Sequence, residues 1–459
     1  MTQELTASLE QRLESVVGAE HLLVAESDLA AYAIDGIRPR VVIRPEDAAQ
    51  AAEVIRVALE AKLAVIPVGA RSSVAVGAPP SRYDVAVDVT RIAGIAQYDP
   101  GDLTIGVLAG TTLAKLSRTL AKNKQFLPLA VPFFEDATVG GAIACGLDSP
   151  LRHFYGTARD FLIGAEFVDG AGGQAKSGGC VVKNVTGYDF HKLLCGSLGT
   201  LGVITRLNFR TFPLQPVRRG FIASFLDEAA AIAFARAVAA SALAPAVLDI
   251  LSPEFATQFL EEKSPVESLR LDTQAWTVCV GFEGSSAVCE RYTRELARLA
   301  REAAAQNAVA VRESQYPALL EVLREAPAAM RAASPRAVVL RFSTVPSALP
   351  GLIRSLRSFA QSSWMASAIL ARSSAAVYQV LLPKQDESTE KQLAYFWQSV
   401  GSLRSQLEFS ATILFCPAAW KRTLNVWAHA SGAPALDRRV KKAFDPGGIF
   451  APGRFAGGL

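Results

Sequence analysis

Histidine is the scarcest reactive side chain of this 459-residue sequence, with four in all: His21, His153, His191 and His429. The long stretch from 192 to 428 has none, which excludes a histidine-rich metal centre there. The six cysteines (Cys145, Cys180, Cys195, Cys279, Cys289, Cys416) form neither C-x-x-C pairs nor a ferredoxin-type run. That spacing argues against an iron–sulfur cluster or structural zinc held by this chain alone, no metal site is expected, and buried free thiols in a reducing compartment are the favoured reading. No basic run or stripe stands out from a balance of 47 Lys plus Arg against 43 Asp plus Glu, so nothing points to nucleic acid. Long apolar runs are missing too. The most membrane-like window, Ala229 to Leu248, has only Arg236 as a charge but is broken by Pro245 and bounded by Asp227, Glu228 and Asp249. It reads as helix, turn and strand, not as a transmembrane span. The start, MTQELTASLEQRLESVVG, is amphipathic and lacks the apolar core of an export signal. A cytoplasmic protein is expected.

What is present is length, small residues and alternating elements. The chain exceeds the roughly 250 to 300 residues at which single cores stop growing, so at least two domains are expected. In DAAQAAEVIRVALEAKL (47–63), Ala51, Val54, Ile55, Ala58 and Ala61 recur at helical spacing, and the strand AVIPVG follows. Strands are predicted at 84–89 and 103–108, a helix after Gly110, and a hairpin turning through DGAGG (169–173). VITRLNFRTF alternates, Val203, Leu207 and Phe209 against Arg206, Asn208 and Arg210, as a half-buried strand would, with one face wet or ligand-facing. From about 216 the order becomes strand–helix–strand units, and the tail ALDRRVKKAFDPGGIFAPGRF is a helix stopped at Asp445-Pro446-Gly447-Gly448. The fold class is α+β, divided 1–215, 216–415 and 416–459.

Three small-residue stretches can carry chemistry. Pro67-Val68-Gly69-Ala70-Arg71-Ser72-Ser73 follows an apolar strand, and its amides and hydroxyls can converge on a diphosphate; an ordinary surface turn is the rival reading. Ala137-Thr138-Val139-Gly140-Gly141-Ala142-Ile143-Ala144 offers a Thr cap and a helix N-terminus for anionic oxygens, against the alternative of tight small-residue packing. VVKNVTGYDFHKLLCGSLGTLGVIT (181–205) crowds three glycines before a strand. There Gly199 and Gly202 let a flat ring lie against main chain, Lys183 supplies charge and Asn184 a hydrogen-bonding group, although Lys183 reads equally as a solvated surface lysine.

Together with YGTARDFLIGAEFVDGAGG and FDPGGIFAPGRF, these motifs resemble the FAD-binding subunits of glycolate oxidase, GlcE type, within the vanillyl-alcohol-oxidase (PCMH-type) fold. The resemblance covers roughly 40 to 215 and 435 to 455. It implies a two-subdomain PCMH-type FAD domain, an α+β cap with an antiparallel sheet covering the flavin, and a C-terminal segment returning to the first domain. It further implies pyrophosphate loops at 67–73 and 137–144, led by Pro132 and Asp136, with Tyr155 and Gly156 near the flavin. Gly199, Gly202, Val203 and Ile204 would border the dinucleotide, and Arg454 is a flavin neighbour. Where the family turn reads Asn-Pro-Gly, Ala451 stands here. Covalent members carry a His near the first loop and 67–80 has none, so a non-covalent FAD is implied. The sister GlcD type has Glu where Leu198 stands, and a His-rich metal motif that this cap lacks.

The implied function is one subunit of a glycolate or D-lactate dehydrogenase, accepting or relaying electrons to an iron–sulfur partner beside a homologous FAD subunit. Its place is cytoplasmic, with the inner face of the membrane as the alternative within such a complex. Two rivals stand beside it: an autonomous FAD-dependent dehydrogenase of another small alcohol or hydroxy acid, and a flavin-free scaffold. His21 reads as a surface residue, and His153 and His191 are the candidate bases, each more often structural than catalytic. Valine at Gly140 and Gly141 is expected to abolish FAD retention by adding bulk where main chain meets phosphate.

Overall fold

The computed structural model describes residues 7–181, 187–260, 274–373, 376–383, 388–428 and 434–459. An amphipathic helix, α1 (Ala7–Val17), opens it. Then β1 (Leu22–Leu23), β2 (Val41–Ile43), α2 (Ala48–Glu60), β3 (Val65–Val68) and β4 (Val85–Asp88) build a sheet in the order β1-β2-β4-β3. Asp47 starts α2 by accepting from the Gln50 amide at 2.8 Å, an N-cap that satisfies a donor the helix itself cannot. Ala51, Val54, Ile55 and Ala58 are buried as their spacing predicts, while Ala61 is the exposed C-cap. Both β2 and β3 run parallel to β4, and their near-continuous apolar runs are buried on both faces.

A second sheet takes β5 (Ile95–Asp99) and β6 (Thr104–Leu108), then, after α3 (Leu113–Ala121), β7 (Gln125–Phe126), α4 (Val139–Cys145) and α5 (Arg152–Tyr155), the hairpin β8 (Leu162–Val168) and β9 (Gln174–Gly178), and lastly β10 (Val203–Arg210). Its order is β5-β6-β10-β8-β9, with antiparallel neighbours, while β11 (Phe212–Pro213) pairs with β7. The expectation that one face of β10 is wet or ligand-facing is corrected as to water, while Ile204 of the strand lines a cleft with the glycine-rich loops. The strand is central between β6 and β8, so Asn208 is 5% exposed and only Arg206 and Arg210 reach partial exposure. Alternation signals two different faces, and a second layer can cover the polar one as well.

The remaining sheet is eight-stranded: β12 (Val217–Phe225), β13 (Val247–Leu251), β14 (Trp276–Gly284), β15 (Asn307–Val311), β16 (Val338–Thr344), β17 (Ala366–Arg372), β18 (Ala376–Leu382) and β19 (Phe409–Phe415). Its order, β15-β12-β14-β13-β17-β18-β16-β19, is two strand–helix–strand–strand–helix–strand units placed edge to edge, joined where β13 meets β17. The helices within the units, α6 (Glu228–Ala240), α7 (Ser286–Glu302), α9 (Leu349–Ser362) and α10 (Thr389–Leu403), cover one face of the sheet, where Val278, Ile250 and Phe342 share a core with them. Between the units, α8 (Tyr316–Ala332) lies on the opposite face. That face, with Cys279, Leu370 and Tyr378, shares a core with Val131, Leu147 and Leu198 of the first half of the chain.

The last helix, α11 (Pro434–Phe444), ends at Asp445, and the chain then adds an edge to the first sheet: Val65 N bonds to Ile449 O and Ala451 N to Val65 O, both at 2.8 Å. Lys441 anchors this return, bonding to Asp445, Thr200 O and Phe450 O, each at 2.7 Å.

Candidate functional site

One cleft of about 870 Å³ collects most of the glycine-rich stretches. All of 67–73 lines it, with Pro132, Ala137, Thr138, Gly140, Gly141 and Ala144, then Gly199, Gly202 and Ile204, and finally Arg454 from the returning tail. These pieces come from four separate parts of the chain. The loops touch: a methyl group on Gly69 would collide with Thr138 Oγ1, and one on Gly199 would come within 3.1 Å of Pro67. Thr138 caps α4 by accepting from Gly141 N at 3.2 Å, while the Val139 and Gly140 amides donate to Thr111 O and Ala109 O at 2.8 Å and Ala142 N donates to Thr138 O at 2.9 Å, so the first turn of α4 is satisfied by the protein itself.

Two arginines, Arg71 and Arg454, line this cleft, and Arg454 is the buried one, 3% exposed. Its Nη2 donates to Val74 O at 2.7 Å and Val76 O at 2.5 Å, whereas Nε and Nη1 have no partner. Burial holds its pKa below the ordinary value, and among the described residues no carboxylate bonds to it. A dry guanidinium with two idle donors, in a cleft made largely of glycine main chain, fits an anionic dinucleotide.

Several expected residues stand elsewhere. Asp136 and Val203 do not line the cleft, and Val203 is fully buried in the core. Tyr155 packs edge-on against Phe126 and Phe212, and its hydroxyl donates to Glu283 Oε1 of β14. Burial pushes the Glu283 carboxyl up to about 7. Gly156 takes a φ of +77° beside Asp160, a backbone reason for the glycine. Lys183 and Asn184 lie outside the described residues, as does His429.

Neither candidate base reaches the cleft. His191, 2% exposed, is tied by its Nδ1 to Ser177 Oγ at 3.1 Å, and its own amide donates to the same oxygen. His153 is half-buried with Nδ1 unpartnered, and burial lowers its pKa. His21 is half-buried too, with its side chain 21% exposed, rather than a surface residue. The two glycines of the second loop also separate. A methyl on Gly140 would meet Ala109 Cβ at 2.8 Å, so that glycine serves helix-to-strand packing, whereas one on Gly141 would meet only its own cap, Thr138 Oγ1, at 2.9 Å.

Sequence reasoning missed Cys145, Leu147 and Leu198 as lining residues. Leu198 adopts φ +53° within its glycine run, and no composition signal marks it. It missed as well the polar contacts that fasten the cap sheet to the end of α4. Arg341 Nη1 donates to Gly146 O at 2.8 Å, and the buried Tyr378 hydroxyl donates to Asp148 Oδ2 at 3.2 Å, itself held by Arg152 at 2.7 Å. Free cysteines are half-buried at four positions and buried at Cys279 and Cys289.

Family models match in the same order as the sheets: a FAD binding domain over residues 39–178, and the C-terminal domain of FAD linked oxidases over 214–403. Glycolate oxidase subunit GlcE of Escherichia coli is 38% identical over 162 residues, 35% of this chain and 46% of that protein, so the match spans about half of that relative. Glycolate oxidase subunit GlcD of Bacillus subtilis is 24% identical over 78% of this chain and 76% of its own length. Among solved structures, a 4-ethylphenol oxidase from Gulosibacter chungangensis superposes with a TM-score of 0.75 at 15% identity, covering 99% of this chain and 97% of that one. A p-cresol methylhydroxylase with substrate bound gives 0.74 at 16% identity, with coverage of 99% and 97%.

Proposed function

Because this chain belongs to the FAD-linked oxidases with a PCMH-type FAD-binding domain, we propose that it is the FAD-binding subunit of a 2-hydroxy-acid dehydrogenase, with glycolate or D-lactate as the substrate class. The observation that carries the reading is the cleft itself, lined together by residues of 67–73, 137–144 and 199–204 and by one buried, half-idle guanidinium. Amides of the 67–73 loop and of the glycine run at 199–202 would hold the pyrophosphate, and Arg454 would face an electron-rich edge of the cofactor. FAD supplies the two-electron chemistry when bound, and the chain supplies position, dryness and charge.

The flavin is taken to be non-covalent. Electrons would leave through a partner, since groups of three or more metal-ligating side chains are absent among the described residues and the six cysteines are scattered. An iron–sulfur subunit and a homologous FAD subunit are the partners this reading asks for. Two relatives carry names of glycolate oxidase subunits, in keeping with such a complex. Among the described residues no helix is long and apolar enough to cross a membrane. The proposed setting is the cytoplasm or, within the complex, the inner face of the membrane.

The test is optical. Purified chain supplied with FAD should show a flavin spectrum, and anaerobic glycolate or D-lactate should bleach it. Persistent absence of flavin bands would support a scaffold role instead.

A further inference from the structure

Four consecutive carbonyls just past the first glycine-rich loop are each taken by a buried cation from a distant part of the chain. Arg454 of the tail holds Val74 O and Val76 O. The alternate carbonyls, Ala75 O and Gly77 O, accept from Lys421 Nζ, the second at 3.3 Å. The third N–H of that ammonium goes to Asp35 at 3.0 Å, so all of its donors are used. Lys421 follows Trp420, a member of the cap core, and its side chain is 0% exposed. Burial holds its amine below the ordinary value. Two of its three bonds go to main chain of one loop, so what this lysine fixes is the course of that backbone.

The amides just before those carbonyls are in the opposite condition. Among the described residues, the N–H groups of Ala70, Arg71, Ser72 and Ser73 donate to no protein group, and all four residues line the cleft. Arg71 takes a φ of +64°, a conformation that a residue with a Cβ adopts only when its surroundings impose it. Bonds within the loop are few: Val74 N donates to Arg71 O at 3.2 Å and Val76 N to Ser73 O at 3.0 Å. A stretch with four free amides and a left-handed residue would relax toward bonding itself unless its far end were held from outside.

We propose that Lys421 is the positioning residue of the first cofactor loop: with Arg454 it pins the carbonyls of 74–77, so that the amides of 70–73 stay free for the diphosphate of a dinucleotide. The inference rests on the proposed flavin function. It gives the cap a share in gripping the cofactor, because Lys421 is tied to the cap core through its neighbour Trp420 and does not itself line the cleft. Arg454 has donors left over for a ligand, whereas Lys421 is saturated and acts only through main chain. A compact ammonium suits the task, since its three N–H groups reach two carbonyls two residues apart and still keep one carboxylate. Consecutive amides beside a left-handed residue are a recurrent way of holding phosphate oxygens, and they work only while their geometry is kept.

Three readouts test it on the full chain: FAD affinity by titration, melting temperature without flavin, and amide hydrogen exchange in peptides that divide the loop at residue 73. In the parent, FAD should slow exchange at 70–73 by at least about tenfold. Lys421→Met should weaken FAD by more than about tenfold and speed exchange at Val76 and Ala78 in the flavin-free chain. Because that variant strands the Asp35 carboxylate, it is repeated with Asp35→Asn. The double variant should regain melting temperature but not FAD affinity. A parent that binds FAD without slowing exchange at 70–73 overturns the role, and that result needs no variant to fold. Parental FAD affinity in Lys421→Met overturns it too, as does FAD affinity that returns with the melting temperature in the double variant, since Lys421 would then be only a charge partner for Asp35. A parent that takes up no FAD sinks the flavin function instead. Exchange at Val76 and Ala78 in the double variant then still decides whether Lys421 holds the loop, and a parental rate there overturns it.

Discussion

At Arg454 a fully buried guanidinium faces the cleft with two donors unused. Arg454→Met should lower FAD affinity by at least about tenfold, since a hydrogen bond to a charged group is worth ~1.5–3 kcal/mol; flavin-to-protein absorbance after desalting measures it. The two glycines of the second loop should behave differently. Gly141→Val should fold and lose flavin, because its added atoms meet little besides the cap. Gly140→Val should melt early with or without FAD, because Ala109 lies in the way. Equal melting temperatures in the two variants would contradict this separation.

Helix α8 contains Pro327, which has no amide to offer the carbonyl four residues back, Leu323 O. Arg372 fills that vacancy from the neighbouring strand. Arg372→Gln should therefore cost about 1–3 kcal/mol in urea unfolding, part of it recovered by adding Pro327→Ala. Elements of this kind separate what could be foreseen from what could not. The helix at 48–60, the strand at 65–68 and the hairpin around 169–173 were legible because each follows from its own apolar spacing and turn residues. The gathering of 67–73, 137–144 and 199–204 was legible through glycine, whose backbone freedom is written in the sequence. Arg372 and Asp249 were not, because their juxtaposition needs the pairing of strands more than a hundred residues apart, and neither residue stands in a motif. The fate of His191 was hidden for the same reason: its partner, Ser177, comes from a hairpin edge that only the folded sheet brings near.

Across the whole molecule, charge burial in the cap sets a pH dependence. Glu283 and Asp249 both have carboxyls raised to about 7 from ordinary values of 4.5 and 3.8. The folded chain keeps protons there that the unfolded chain releases, so their stabilising contribution is present at low pH and is lost as pH rises from about 4 to 7. The urea midpoint should fall between about pH 4 and pH 7, and Glu283→Gln, whose amide oxygen still accepts from Tyr155, should flatten that fall. A midpoint in Glu283→Gln that drops as steeply as in the parent would count against Glu283 as a source. The tail acts at the same scale, since removal of residues 434–459 takes away Arg454, the Lys441 anchor and the strand edge at Val65 together. Such a truncation should purify colourless.

The join between β13 and β17 has one more consequence. Asp249 belongs to the first strand–helix unit of the sheet and Arg372 to the second, and they oppose each other at the single seam where the units touch. A solitary unit would bury an uncompensated charge at its own border, which is among the least tolerable things a core can contain. The pair is thus a property of the doubled sheet. If the two units descend from one ancestral repeat, the opposed charges belong to the doubled sheet, because only there does each meet its opposite.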